Sequence, residues 1–370
     1  MGLRRRVYGW AFRALLFVLS SLVLLELLFR FAVPADQRPA SARIADTWVT
    51  AFDRSWMEEG YTSIGRVPTE TFHWSINPQG WNSTVEYVPP GERDRPLIAL
   101  VGDSHVENLQ SDVEESIAAQ LQDALGDSCL VYSFGKADQP LVQDLVVMRY
   151  VDSLYSPDAF VIVAGGDVVR RSIVPGPGAI YAHMQREGDG FRLAPPAERT
   201  PSGFARTALQ SALVRYVRFN MAEDLFPLYR TVGGAERGSV PGPERADSLM
   251  PHAAEWVLDR MSEEYGGRGV LLVSNHFVAR YRIYGGAEAW KMRGMEIPED
   301  YRLLEDLVTA YPSIRWLDTS PAFAAAWERD HRRFECPDGK HLNGYGNGLV
   351  AGAIARRLEE DGTLDRILRR

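Results

Sequence analysis

Two kinds of apolar run divide the chain. Near the N-terminus the twelve residues from Ala14 to Leu25 carry no charge, and after Glu26 the stretch continues as LLFRFAV to Val33. Counted as one segment, this is long enough for a helix to cross a bilayer, which takes about 20 residues. Beyond Pro34 the apolar runs are short: LIALV (97–101), CLVYSF (129–134), DAFVIVAG (158–165), VLLVSN (270–275) and SIRWLD (313–318). Continuous apolar runs of this length predict strands buried on both faces. Between them lie helical patterns. SDVEESIAAQLQDALG (111–126) offers Ser111 and Glu114 as a capping box, Val113, Ile117, Leu121 and Leu125 on one face, and Gly126 as a stop. The last helix is predicted over about 343–360, with Val350, Ile354 and Leu358 turned inward.

Strands alternating with helices predict an α/β fold: a three-layer α/β/α domain around a central parallel sheet. The rhythm breaks twice. Between 176 and 246 it gives way to a hairpin pattern, YAHMQREGDGFRLAP, an amphipathic stretch, ARTALQSALVRYVRF (205–219), and a Gly/Pro-rich loop; this is expected as a lid-like insertion over one end of the sheet. A second loop-rich insertion covers 284–300. The expected organisation is therefore a membrane anchor or signal segment (1–34), a tether and N-terminal extension (35–96), and an α/β domain (97–365). The aromatic, turn-rich stretch 72–96 is expected to pack as part of the extension, and Asn82-Ser83-Thr84 matches a glycosylation sequon, a match common by chance.

Charge and composition narrow the function classes. The chain has 370 residues and a formal net charge of −8, which lacks the basic footprint of a nucleic-acid partner. Arg4, Arg5 and Arg6 precede the apolar segment, so the positive-inside rule keeps them cytoplasmic and exports the chain beyond Pro34. Glu26 and Arg30 stand four apart and can pair on a helix. No small-x-small cleavage site comes after the segment, so an uncleaved anchor is expected over a cleaved signal, with the main domain extracytoplasmic (periplasmic or extracellular). Cys129 starts a strand while Cys336 falls beyond the opposite, carboxyl ends of the strands; with a strand spanning ~17 Å, no disulfide between them is expected. No metal-ligand spacing, nucleotide loop or cofactor motif stands out, so no cofactor and no metal are expected.

In such a sheet, functional groups gather at the carboxyl ends of the strands. Ser104 comes three residues after the first strand, in Gly102-Asp103-Ser104-His105. Near the C-terminus, CPDGKHLNGYGNG places Asp338 and His341 three apart in a loop entering the last helix. A serine nucleophile needs a base and a group that orients the base, and these three residues supply that set. On these motifs the chain resembles the SGNH/GDSL hydrolase family over about residues 95–365. The resemblance implies an SGNH/flavodoxin-like fold, with Ser104 as nucleophile, His341 as general base and Asp338 as its orienting partner.

The family's two middle blocks match less well. For the second block, VYSFGKADQP keeps the turn glycine as Gly135 but has Asp138 where a glycine N–H would help bind the oxyanion. For the third, Gly165-Gly166-Asp167-Val168 puts Asp167, or with the alignment slid by one Gly166, where the family has an asparagine donor. An ionised Asp only accepts hydrogen bonds, and losing one oxyanion donor costs ~10²–10³ in kcat. His105 is a candidate to face the cleft. Lys136 is a candidate to neutralise Asp167 or to bind an acidic substrate. The resemblance implies an exported serine esterase acting on ester groups, O-acetyl groups of cell-surface carbohydrate in particular. A polysaccharide O-acetyltransferase with the same triad and a catalytically impaired glycan- or envelope-binding relative remain as alternatives. Beyond the carbohydrate ester and the membrane, the sequence identifies no partner.

Overall fold

The structure, a computed structural model, describes residues 2–66, 68–165, 167–174, 180–188, 190–196, 203–221, 243–285 and 299–369. The chain divides into two units: Met1–Arg38 with Tyr61–Thr71 and Thr200–Gly234, and Pro39–Gly60 with Phe72–Arg199 and Ala235–Arg370. The first is built on helix α1 (Gly2–Phe31), whose stretch Val7–Phe31 is long and apolar enough to cross a membrane. Glu26 and Arg30 do pair, at 2.5 Å.

In the second unit all five short apolar runs are strands: β1 (Leu97–Gly102), β2 (Leu130–Gly135), β3 (Ala159–Ala164), β4 (Val270–Ser274) and β5 (Ile314–Asp318). They form one parallel sheet in the order β5-β4-β3-β1-β2, with Gly102 opposite Gly135 on one side and Val163 on the other. The helices are, in chain order, α2 (Ser104–Glu107), α3 (Ile117–Leu125), α4 (Leu141–Tyr155), α5 (Val168–Ile173), α6 (Pro243–Tyr265), α7 (Phe277–Tyr284), α8 (Glu299–Val308), α9 (Ser320–Asp330), α10 (Gly344–Glu360) and α11 (Thr363–Leu368).

Alternation along β1 explains why its run is continuous. Leu97, Ala99 and Val101 pack with α4 and α6, while Ile98 and Leu100 pack with α3 and α10. Both faces are covered, so every position must be apolar. Burying each Leu, Ile or Val side chain contributes about 1.5–3 kcal/mol. The three-layer α/β/α expectation is met.

Two sequence expectations are corrected. Helix α3 starts at Ile117, because Ser116 is its N-cap and accepts from the Ala119 N–H at 3.1 Å; Val113–Glu115 forms a separate 3₁₀ turn. Ser111 is instead buried, donating to Asn108 Oδ1 at 2.7 Å. The amphipathic stretch breaks into Gly203–Ala208, Ala212–Arg215 and a π-turn Tyr216–Asn220, and it groups with α1 rather than with the sheet. The Asn82 sequon is buried with its amide donating to the Glu107 and Asn108 carbonyls, so a glycan there is incompatible with the fold. The hairpin forms as expected, His183–Glu187 against Gly190–Ala194. The Gly/Pro-rich loop and most of the second insertion lie outside the described residues.

Candidate active site

The chain crosses from β2 past β1 to β3, so the strand order reverses beside β1, and the crevice of a doubly wound sheet opens at the carboxyl ends there. Ser104 is the first residue of α2, two residues past the end of β1. The Asp103 carboxylate caps this short helix, accepting from the His105 N–H at 3.0 Å. Two glycines make room for the turn. A Cβ on Gly102 would lie 2.6 Å from the Val163 carbonyl, and one on Gly135 would lie 2.2 Å from the Glu107 N–H nitrogen. Gly135 thus lets α2 pass close over β2. Asn108 ends α2 in the left-handed conformation, φ 52°, which Asn tolerates better than most residues.

The histidine arrives on a loop shaped by its own hydrogen bonds. Glu335 and Leu342 bridge its base, and the Cys336 N–H donates to the His341 carbonyl at 3.0 Å. Asn343 caps α10 through the Gly346 N–H at 2.9 Å. Asp338 Oδ1 accepts from the N–H groups of Lys340 (2.8 Å) and His341 (3.0 Å) and from Cys336 Sγ–H (3.0 Å). Its Oδ2 takes the Nδ1–H of His341, leaving Nε2 to face Ser104 Oγ at 2.8 Å. Burial works against the Asp338 charge, but the bonds from His341, Cys336 and Lys340 prevail and hold its carboxyl well below the usual range. The three residues singled out from sequence are brought into one hydrogen-bonded chain, with Ser104 and His341 both half-buried.

The positions beside them are more altered. Asp138 sits at φ 62°, the left-handed conformation a glycine would supply, with its side chain exposed and its Oδ1 taking Arg171 Nη1 at 3.1 Å. Asp167 precedes α5 and makes a charge contact with Arg171 Nε, one helical turn on, at 2.8 Å. One guanidinium therefore holds both carboxylates. Gly166 lies outside the described residues. Lys136 takes neither expected role: it is 3% exposed, paired to Glu107 at 2.6 Å, with its ammonium over the Phe52 ring. His105 does face the site, its ring 5.4 Å from that of His341. Burial, reinforced by His341, pushes its pKa well down and keeps it neutral, and its buried Nδ1 has no hydrogen-bond partner among the described residues.

Several supporting residues escaped the sequence reading. Arg280 on α7 is buried, pairs with Glu335 at 3.2 Å, and donates to Asn275 Oδ1 at 2.7 Å and to the Lys340 carbonyl at 2.6 Å. It braces the His341 loop against the end of β4; removing one partner of such a pair costs about 3–5 kcal/mol. Asn347 on α10 donates to Asn108 Oδ1 and Ser111 Oγ, both at 2.9 Å, tying the turn that carries Ser104 to the helix after His341. Of these, only Asn347 carried a signal, as the last residue of HLNGYGN. Arg280 and Arg171 look like ordinary helix-surface arginines in sequence. Cys129 and Cys336 are free, buried thiols. Burial and the Asp338 charge push the Cys336 thiol up, so it stays protonated and donates. Among the described residues no cluster of potential metal ligands occurs.

No protein-family model and no curated protein sequence matches the chain. Solved structures with a similar arrangement include an alpha/beta hydrolase enzyme from the metagenome of Lake Arreo, at 14% identity over 73% of this chain and 96% of that one, TM-score 0.37. A carbohydrate acetylesterase family member from Sinorhizobium meliloti matches at 15% identity over 72% and 98%, TM-score 0.33. The Clostridium thermocellum family 3 carbohydrate esterase matches at 13% over 75% and 98%, TM-score 0.35. At these identities and scores the likeness carries no weight for the chemistry, which rests on the side chains.

Proposed function

We propose that the chain is a membrane-anchored, exported serine esterase of the SGNH type, acting through an acyl-enzyme on Ser104. The observation that carries this reading is the continuous relay from Ser104 Oγ to His341 Nε2 at 2.8 Å, and from His341 Nδ1 to Asp338. Ser104 Oγ attacks the ester carbonyl while His341 Nε2 takes its proton. The resulting imidazolium is stabilised by the ionised Asp338, and it returns the proton to the leaving alcohol. Water then repeats the sequence on the acyl-serine. Oxyanion stabilisation falls to backbone N–H groups, that of Ser104 and those of the turn after Gly135, because the carboxylates of Asp138 and Asp167 cannot donate. The substrate class, O-acetyl groups on cell-surface carbohydrate, comes from the family resemblance. Export is inferred from the arginines at the start of α1 and the apolar span behind them.

Hydrolysis of p-nitrophenyl acetate by the full chain in detergent micelles tests the reading. Turnover is expected to fall by at least about a thousandfold in Ser104→Ala. Equal rates in the two proteins would make the Gly102-Asp103-Ser104 turn structural.

A further inference from the structure

In the first unit, the segment after Thr200 is built onto the end of α1 remote from Arg4–Arg6. Glu26 receives three hydrogen bonds from it: Ser211 Oγ at 2.7 Å and the N–H groups of Ala212 and Leu213, both at 3.0 Å. Phe29 stacks on Tyr216 with ring centroids 3.8 Å apart. Asn220 accepts from the Asp36 N–H at 3.0 Å and donates to the carbonyls of Ser63 and Gly65. Tyr216 donates its hydroxyl hydrogen to the Arg66 carbonyl at 2.5 Å. The segment is thus fixed to α1 itself and to the chain just beyond it.

That attachment sets a depth. A hydrocarbon core takes about 20 helical residues, and Val7–Phe31 supplies 25. About 20 residues from Val7 end at Glu26, so Glu26–Phe31 lies where acyl chains meet headgroups, and residues bonded to Glu26 and Phe29 must lie there too. The segment has the composition for it. Between 203 and 221 it carries Arg206, Arg215 and Arg218 and no acidic residue. Val214 and Val217, on the turns flanking Arg215 and Tyr216, are 37% and 38% exposed. Apolar side chains beside cations, with an aromatic at the same level, are the features an interfacial helix presents to anionic lipid.

We propose that residues 203–221 form a collar seated in the lipid headgroup layer around the end of α1, with Val214 and Val217 reaching toward the acyl chains. The inference rests on α1 spanning the bilayer. It also makes α1 a structural part of the working protein: cutting it away would remove the acceptor of the Ser211, Ala212 and Leu213 donors.

The test uses the full chain in mixed phosphatidylcholine–phosphatidylglycerol vesicles, with Val18→Cys, Val214→Cys or Val217→Cys carrying an environment-sensitive fluorophore. The native thiols are buried, and the unsubstituted chain gives the labelling background. A nitroxide on the lipid is expected to quench labels at 214 and 217 several-fold more than a nitroxide in water, with the label at 18 quenched by lipid alone. If 18 is lipid-quenched while 214 and 217 respond only to the aqueous quencher, the collar is overturned and the anchor stands. If 18 also responds to the aqueous quencher, both fall.

Discussion

At the scale of single residues, the site is a hydrogen-bonded chain from Ser104 through His341 to Asp338. Arg171 holds both Asp138 and Asp167, so one guanidinium faces two carboxylates. The guanidinium offsets them without aiming a donor from Asp167. Asp167→Asn removes one charge and offers a side-chain N–H at the family's donor position. It is expected to raise kcat roughly tenfold to a hundredfold with little change in KM. Asp167→Ala, which removes the charge and adds no donor, separates the two effects by giving a smaller gain. A fall in kcat for both variants would mean that the Asp167–Arg171 pair itself shapes the site. That Ser104, His341 and Asp338 meet was legible in the sequence because they fall in two short motifs. Arg171 was not, since its meaning depends on two carboxylates that different loops bring within reach of one helix.

Among the elements, α7 has a special task. Its N-cap His276 accepts the Val278 N–H on Nδ1 at 3.1 Å, which requires that nitrogen to be unprotonated. Burial first, then the nearby Arg280, lower its pKa from 6.5 to about 4. Between those values the unfolded chain binds a proton that the folded chain refuses, so stability falls as pH drops through that window. The loss by its lower end is on the order of 3 kcal/mol. Urea unfolding of the full chain in micelles, near pH 7 and about pH 5, is expected to show a lower midpoint in acid. His276→Gln should be less stable near pH 7 and show a smaller drop, only partly reduced because buried His105 acts in the same direction. An unchanged drop in His276→Gln would place the acid sensitivity elsewhere. Strands were the most legible elements, since burial on both faces forces an unbroken apolar run. The start of α3 was misplaced because Ser111 and Ser116 both offer a cap, and the contact of Ser111 with Asn347 is long-range.

For the whole molecule, sheet order does the decisive positioning. The reversal beside β1 opens a crevice where Ser104, on the turn after β1, meets a histidine 237 residues away in the chain. Two asparagines and one arginine, Asn108, Asn347 and Arg280, then fix the two loops in register. Sequence rhythm foretold the layers and the ends of the sheet. It did not foretell that the 205–219 stretch belongs with α1, because amphipathic spacing states that a face is covered and not by which partner. The central claim, that Ser104 is an activated nucleophile, is tested most directly by reacting the full chain with a fluorophosphonate and locating the adduct by peptide mass spectrometry. One adduct on Ser104, absent in Ser104→Ala and formed far more slowly in His341→Ala, is the expected result. An unlabelled Ser104, or a rate indifferent to His341, would contradict the relay on which the proposed activity rests.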